Sequence, residues 1–309
     1  MNKSLLSFLI AVLPLALFGA TGTAIPGGQQ ATTFVINKPG AYYLAGDRVM
    51  TGQAYAAIEV QAPDVTLDLN GFSLSYSEAS GYSKNGIVSS GSNVEIRNGS
   101  IHTAAGDAII SQGVGFRLID VRISDTGGIG SHGADSLIER CHITDTRGNG
   151  IYLGGRGSVV RNCSVKNSTG DTGYGIWLGS HTTVVGCTIG QTEATGIYCY
   201  GSSCVVTGNN VYEANLGKTP GRCGIGASDN CVITENVVAR CFANGIKLDY
   251  ANCLVEKNVI NRTQAVSPML GAGIVSNDGS TIVRGNVGTA NAGPLAAGPY
   301  INAGDNVGD

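Results

Sequence analysis

Lys247 and Asp249 stand two residues apart in the stretch "NGIKLDYANCLVEKN", Asn244 to Asn258, and Tyr250 follows directly. Asp229 and Asp278 lie at comparable offsets to either side, and Lys218 and Arg222 fall in the long segment before Ile225. Three carboxylates, Asp229, Asp249 and Asp278, can hold a hard cation such as calcium. Such a cation neutralises a substrate carboxylate and acidifies the adjacent C–H, whose proton Lys247 or Arg222 would then remove. That chemistry is β-elimination on a uronate. The plainer account of Lys247 and Asp249 is an ordinary surface ion pair, worth little.

A second group is aromatic. Tyr152, Trp177 and Tyr198 each follow an isoleucine directly, and Tyr200 lies two residues beyond Tyr198. Sugar rings present apolar faces that pack on such side chains, so Tyr152, Trp177, Tyr198, Tyr200 and Tyr250, with Lys218 overhead, are candidate substrate-binding residues. Rings in that arrangement also stabilise a sheet simply by stacking on one another.

Both groups are placed by a repeat. Isoleucines after a small residue recur at Ile87, Ile109, Ile129, Ile151, Ile176, Ile197, Ile225, Ile246 and Ile274, at intervals of 20 to 28 residues. Apolar pairs follow most of them, as at Val159-Val160, Val184-Val185, Val205-Val206 and Leu254-Val255, and then often a third short apolar segment. Strands this short cannot bury a face alone, but stacked units pair with their neighbours and enclose a continuous core. The expected fold is all-β: a right-handed parallel β-helix of three sheets and about nine to ten coils, the hand following from the preference of parallel crossovers. Coils run from Ile58 to Val287. Residues 33 to 50, where Pro39-Gly40 and Tyr42-Tyr43 break the pattern, are expected to cap the open end, and an irregular tail to follow the last coil.

Alternation then places residues one and three after each isoleucine on the exterior. Long segments before Ile225 and Ile274, "YEANLGKTPGRCG" and "NRTQAVSPMLGAG", would wall this face, as solenoid loops on a binding face do. Inward columns also appear. One carries Ser136, Ser158, Thr183, Cys204, Cys231, Cys253 and Thr281; another carries Cys141, Cys163 and Cys187, continued by Asn209, Asn236, Asn258 and Asn286. An Asn at a turn can bond backbone groups of the coils around it. Six of the nine cysteines lie in these columns, where neighbours point the same way, so buried free thiols are expected rather than a disulfide framework.

The rungs "NGIYLGGRGSVVRNCSV" and "NGIKLDYANCLVEKNVI", with the opening segment "INKPGAYYLAGDRVMTGQAYAAIEVQAPDVTLDLNGFSL", resemble the bacterial right-handed parallel β-helix proteins of the pectate-lyase-like superfamily over nearly all of residues 33 to 287. The resemblance implies an active cleft on one sheet, here the Gly-Ile sheet, and carbohydrate as partner. It does not choose an activity, because the superfamily is similar to lyases, hydrolases, epimerases, metal-site maturation proteins and adhesins alike. Polygalacturonase-like signatures are echoed only by Ser131-His132-Gly133 and Gly245-Ile246-Lys247, without paired carboxylates for hydrolysis. Tyr174-Gly175-Ile176 is similar to the start of a mannuronan epimerase motif, but continues Trp177-Leu178-Gly179 where that motif has Asp-Pro-His.

Composition sets the outer bounds. The 309 residues include 47 Gly, and 19 basic against 22 acidic residues leave a formal charge of −3, which does not favour nucleic acid. Lys3, the apolar run from Leu5 to Phe18 and the small residues up to Ala24 form the pattern of a secretory signal peptide over 1–24, with a single domain over 25–309. The apolar run is too short for a membrane span, so a secreted or periplasmic location is expected. Two functions follow: a lyase for an acidic polysaccharide, or a non-catalytic β-helix that binds glycans or serves as a scaffold.

Overall fold

A computed structural model describes residues 22–77, 84–102 and 104–308. Residues 1–21 of the expected leader lie outside the described residues; Thr23 and Ala24 pair with Tyr42 and Tyr43 in parallel register. Among the described residues all the strands pair in parallel, in a 12-stranded and a 24-stranded sheet wound as one solenoid.

The 12-stranded sheet is the Gly-Ile sheet. It runs from Phe34–Ile36 through Ile151–Leu153, Ile176–Leu178 and Ile197–Cys199 to Ala296–Ala297. Ile151, Ile176 and Ile197 are register partners, as the repeat requires. The 24-stranded sheet forms the other two faces. One contains Leu137–Glu139 and Val159–Arg161, the other His142–Thr146 and Ser164–Ser168. They count as one sheet because Glu95–His102 and Arg117–Thr126 run unbroken around the corner between them.

Twelve strands on the Gly-Ile face mean that nine to ten coils was an undercount. Phe34–Ile36 pairs with Ala56–Val60, and Gly40–Leu44 with Val65–Asp68, so residues 33–50 form a coil of the solenoid rather than a separate cap. At the other end Ala296–Ala297, Ile301–Asn302 and Val307–Gly308 continue all three columns. The repeat rule missed these coils because Phe34 and Ala296 lack the Gly-Ile signal, while their strands still offer backbone groups to the next rung.

The first coil carries a different closing device. Arg48, 2% exposed, sends Nη1 to the carbonyl of Pro26 and Nη2 to that of Thr32, both at 2.9 Å. A guanidinium supplies fixed donors to carbonyls that the first coil cannot pair with a rung above.

At the corner between the second and third faces, each coil turns on one left-handed residue: Asp120, Arg140, Asn162, Gly186, Gly208, Glu235, Lys257 and Gly285, with φ between 51° and 64°. The next residue points inward, which generates the Cys and Asn column. Asn209, Asn236, Asn258 and Asn286 each accept from the backbone N–H of the residue one coil earlier, at 2.9 to 3.0 Å. Their Nδ2 atoms donate back to Val184, Val206, Ile233 and Val255. Cys141 and Cys163 continue the line with N–H to sulfur contacts of 3.5 and 3.4 Å.

In the other inward column the buried residue is Thr182, not Thr183. Thr183 pairs with Val159 and Val205, so the apolar pair of that rung is Thr183-Val184 and Val185 faces out. A β-branched residue on each side hid the one-residue shift, since alternation alone cannot tell inward from outward there. All nine cysteines are buried and free.

Candidate functional site

The Gly-Ile face carries three rows of side chains. The middle row, in register, reads Val88, Ile110, Gly130, Tyr152, Trp177, Tyr198, Gly226, Lys247 and Val275. Adjacent coils lie close enough for ring stacking. Tyr152 and Trp177 stack with centroids 4.6 Å apart and planes 16° apart, and Trp177 stacks in turn on Tyr200 at 5.1 Å and 22°. Tyr174 stacks on Tyr198 at 5.5 Å, and Tyr198 meets Tyr200 in a tilted contact.

This stacking changes the roles expected from sequence. Both faces of Trp177 are covered, by Tyr152 and Tyr200, so it is an internal rung of an aromatic stack and has no free face for a sugar. Tyr198 is likewise drawn into the stack; burial, reinforced by the nearby Asp249, pushes its phenol up to about 12. Its ring lies over Gly226, where a Cβ would meet Tyr198 Cδ2 at 2.8 Å, so glycine there seats the ring. Tyr200 and Tyr250, each 64% exposed, present open aromatic surface at this end of the stack.

Beyond Tyr200 lies a depression of about 510 Å³ lined by Ser228, Asp229, Asp249, Tyr250, Asn277 and Asp278, among others. The three aspartates named from sequence therefore do share one concavity. They do not converge on a cation: among the described residues no group of three or more His, Cys, Asp or Glu side chains is arranged to hold a metal. Local partners explain the divergence. Asp249 takes a salt bridge from Lys247 at 2.5 Å, and Asp229 accepts from Ser228 and Asn230. Asp278 accepts from the backbone and hydroxyl of Ser280, which hold its carboxyl below the usual carboxylate range.

The two candidate bases are engaged separately. Lys247 lies against Asp249, whereas Arg222 rests over the Tyr174 ring at 5.6 Å and donates to the carbonyl of Asp171 at 2.5 Å. Lys218 rests over Phe242 at 5.1 Å. Their loop is held by Asn215, fully buried, whose Nδ2 reaches the carbonyls of Thr219 and Phe242 while Oδ1 accepts from the Thr219 N–H. The segment before Ile225 is thus anchored by this amide together with backbone bonds from Asn215, Leu216 and Gly217 to the preceding coil.

Sequence reasoning passed over a second concavity at the other end of the aromatic stack. Its volume is about 330 Å³, and Asp107, Gly127, Gly130, His132, Arg147, Asn149, Tyr152 and Thr172 line it. Burial raises the Asp107 carboxyl above its ordinary range, with His132 opposing. Tyr152 and His132 carried a signal in the sequence, from their places on and beside the Gly-Ile rungs; Asp107 and Arg147 sit in turns that show no period.

A family model described as "Right handed beta helix region" matches residues 64–189 and 173–307, and the chain belongs to that family. No curated protein matches the sequence. Solved structures share the fold. The Dettilon tailspike protein gp208 superposes with a TM-score of 0.63 at 13% identity, over 92% of this chain and 61% of that one. The A-module of the Azotobacter vinelandii mannuronan C-5 epimerase AlgE4 gives 0.60 at 13%, over 93% and 90%. The tailspike of E. coli bacteriophage HK620, solved in complex with a pentasaccharide, gives 0.60 at 12%, over 88% and 60%. This chain therefore spans about 60% of the length of these two tailspike chains. At such identities the likeness is one of fold.

Proposed function

We propose that this protein is an exported β-helix that binds a polysaccharide across its Gly-Ile face. The observation that carries the reading is the pair Tyr200 and Tyr250, both open to solvent, with Tyr250 lining a polar depression. Open aromatic surface next to hydroxyl-matching polar groups is what a pyranose ring needs. The fold neighbours add support, since one is a mannuronan epimerase and another was solved with a pentasaccharide. The leader-like start at residues 1–24 supports export.

A catalytic reading, β-elimination on an acidic polysaccharide, is favoured by one feature: Lys247 and Asp249 stand beside Tyr250 at the edge of the same depression. Binding is the better-supported reading because Lys247 is already neutralised by Asp249 and Arg222 is held elsewhere. The deciding experiment exposes the purified protein to acidic and neutral polysaccharides. It follows bound glycan together with ultraviolet absorbance from unsaturated uronate. Binding that Tyr200→Ala and Tyr250→Ala weaken, with no new absorbance, is the expected result. Absorbance that Lys247→Ala abolishes would establish the lyase instead, and absence of binding to every glycan would remove both.

A further inference from the structure

Two glycines interrupt the middle row of the Gly-Ile face, and they are not equivalent. Gly226 is needed, because the Tyr198 ring occupies the space its side chain would take. Gly130 is not needed by the fold. A Cβ there would meet nothing closer than His132 Nε2 at 3.9 Å and the Ile109 carbonyl oxygen at 4.0 Å. Its backbone is also absent from the left-handed positions that favour glycine. Its register partners on either side, Ile110 and Tyr152, both carry large side chains. The row therefore dips at Gly130 between two large side chains, with the His132 imidazole bordering the dip and room for a Cβ without a clash.

The walls around that dip are built. Asp107 reaches across Gly127, whose Cβ would lie 2.3 Å from Asp107 Oδ1, so the carboxyl projects over the glycine coil. Arg147 bonds through Nη2 to the carbonyl of Ala104, from two coils earlier, and so spans the intervening coil. Tyr152 closes the far side, with His132 tilted against it at 5.1 Å. The hollow, about 330 Å³ and open to solvent, is large enough to seat one sugar ring.

We infer that the hollow over Gly130, walled by Asp107, His132, Arg147 and Tyr152, is a subsite for a single neutral pyranose unit. The inference rests on the reading that this face binds glycan. Charge decides the class. One carboxyl and one guanidinium face the space together, so a bound uronate would gain from Arg147 what it loses to Asp107, while a neutral ring can use both as hydrogen-bond partners.

The test follows the His132 imidazole resonance of the full chain by NMR, assigned with His132→Gln, during titration with methyl β-D-glucopyranoside, N-acetylglucosamine and galacturonate. Saturable shifts with a neutral probe, weakened at least tenfold in Gly130→Val, are expected. Gly130→Ala, which adds only the atom the structure has room for, serves as a folded partner variant and should weaken binding less. The inference fails if no neutral probe moves the resonance, if galacturonate alone does, or if Gly130→Val binds like wild type. Polysaccharide binding measured on the same samples separates the claims. Retention of Tyr200-dependent binding with a silent His132 would remove the subsite and leave the face, whereas silence in both assays would remove both.

Discussion

At the residue scale, the inward Asn column shows how one side chain can serve two coils. Asn236 has no exposure, accepts the backbone N–H of Asn209, and donates to Val206 and Asn258. Its truncation leaves several buried groups without partners at once, each costing about 1–3 kcal/mol. Asn236→Ala should therefore destabilise the protein by about 3 kcal/mol in a urea titration; a change under about 0.5 kcal/mol, the range of an ordinary surface substitution, would mean that the column is decorative. The thiols make a separate forecast. Burial pushes Cys223 and Cys241 up to about 12, which suppresses thiolate. A thiol reagent should count none of the nine until the protein is denatured, and a peptide map should contain no Cys231–Cys253 disulfide.

At the scale of the element, each corner turns on one left-handed residue, and the strain is separable from packing. Gly208 has φ of 64°, and a Cβ there would meet nothing within 4 Å. Gly208→Ala should cost about 1 kcal/mol from backbone strain alone; no loss would show that the corner adapts. Ion pairs also run along the solenoid, some of them at the corners: Glu139 is paired with Arg161 and Arg140, Asp120 with Arg140, and Glu256 with Arg284. These guanidiniums hold the three carboxyls below their ordinary range. A depressed folded pKa stabilises the fold above the ordinary carboxylate range, and the gain is lost as pH falls through the folded values. Stability should decline on acidification below that range, less steeply in Glu139→Gln and less steeply at high salt. An unchanged acid limb in Glu139→Gln would contradict this.

At the scale of the whole molecule, the sequence carried the solenoid because coils reuse equivalent positions: Ile151, Ile176 and Ile197 stack, so the period is written in the chain. It did not carry the ends, where Phe34 and Ala296 pair by backbone without the Gly-Ile signal, nor the register at Thr182, where small β-branched neighbours blur the alternation. The site was legible in part. Alternation placed Tyr152, Trp177, Lys247 and Asp249 on one face, but ring stacking, which covers both sides of Trp177, and the turn bonds that separate Asp229, Asp249 and Asp278 are tertiary facts. The hollow over Gly130 was illegible for a different reason, being a space left by an absent side chain and walled from turns. The central claim is that glycan lies on the open aromatic surface of this face. Its most direct test is the affinity of wild type, Tyr200→Ala and Tyr250→Ala for a panel of acidic and neutral polysaccharides, measured by calorimetry. The account predicts binding by wild type and a loss of about tenfold in each variant, the equivalent of one aromatic contact of about 1.4 kcal/mol. Binding that both substitutions leave unchanged would contradict it.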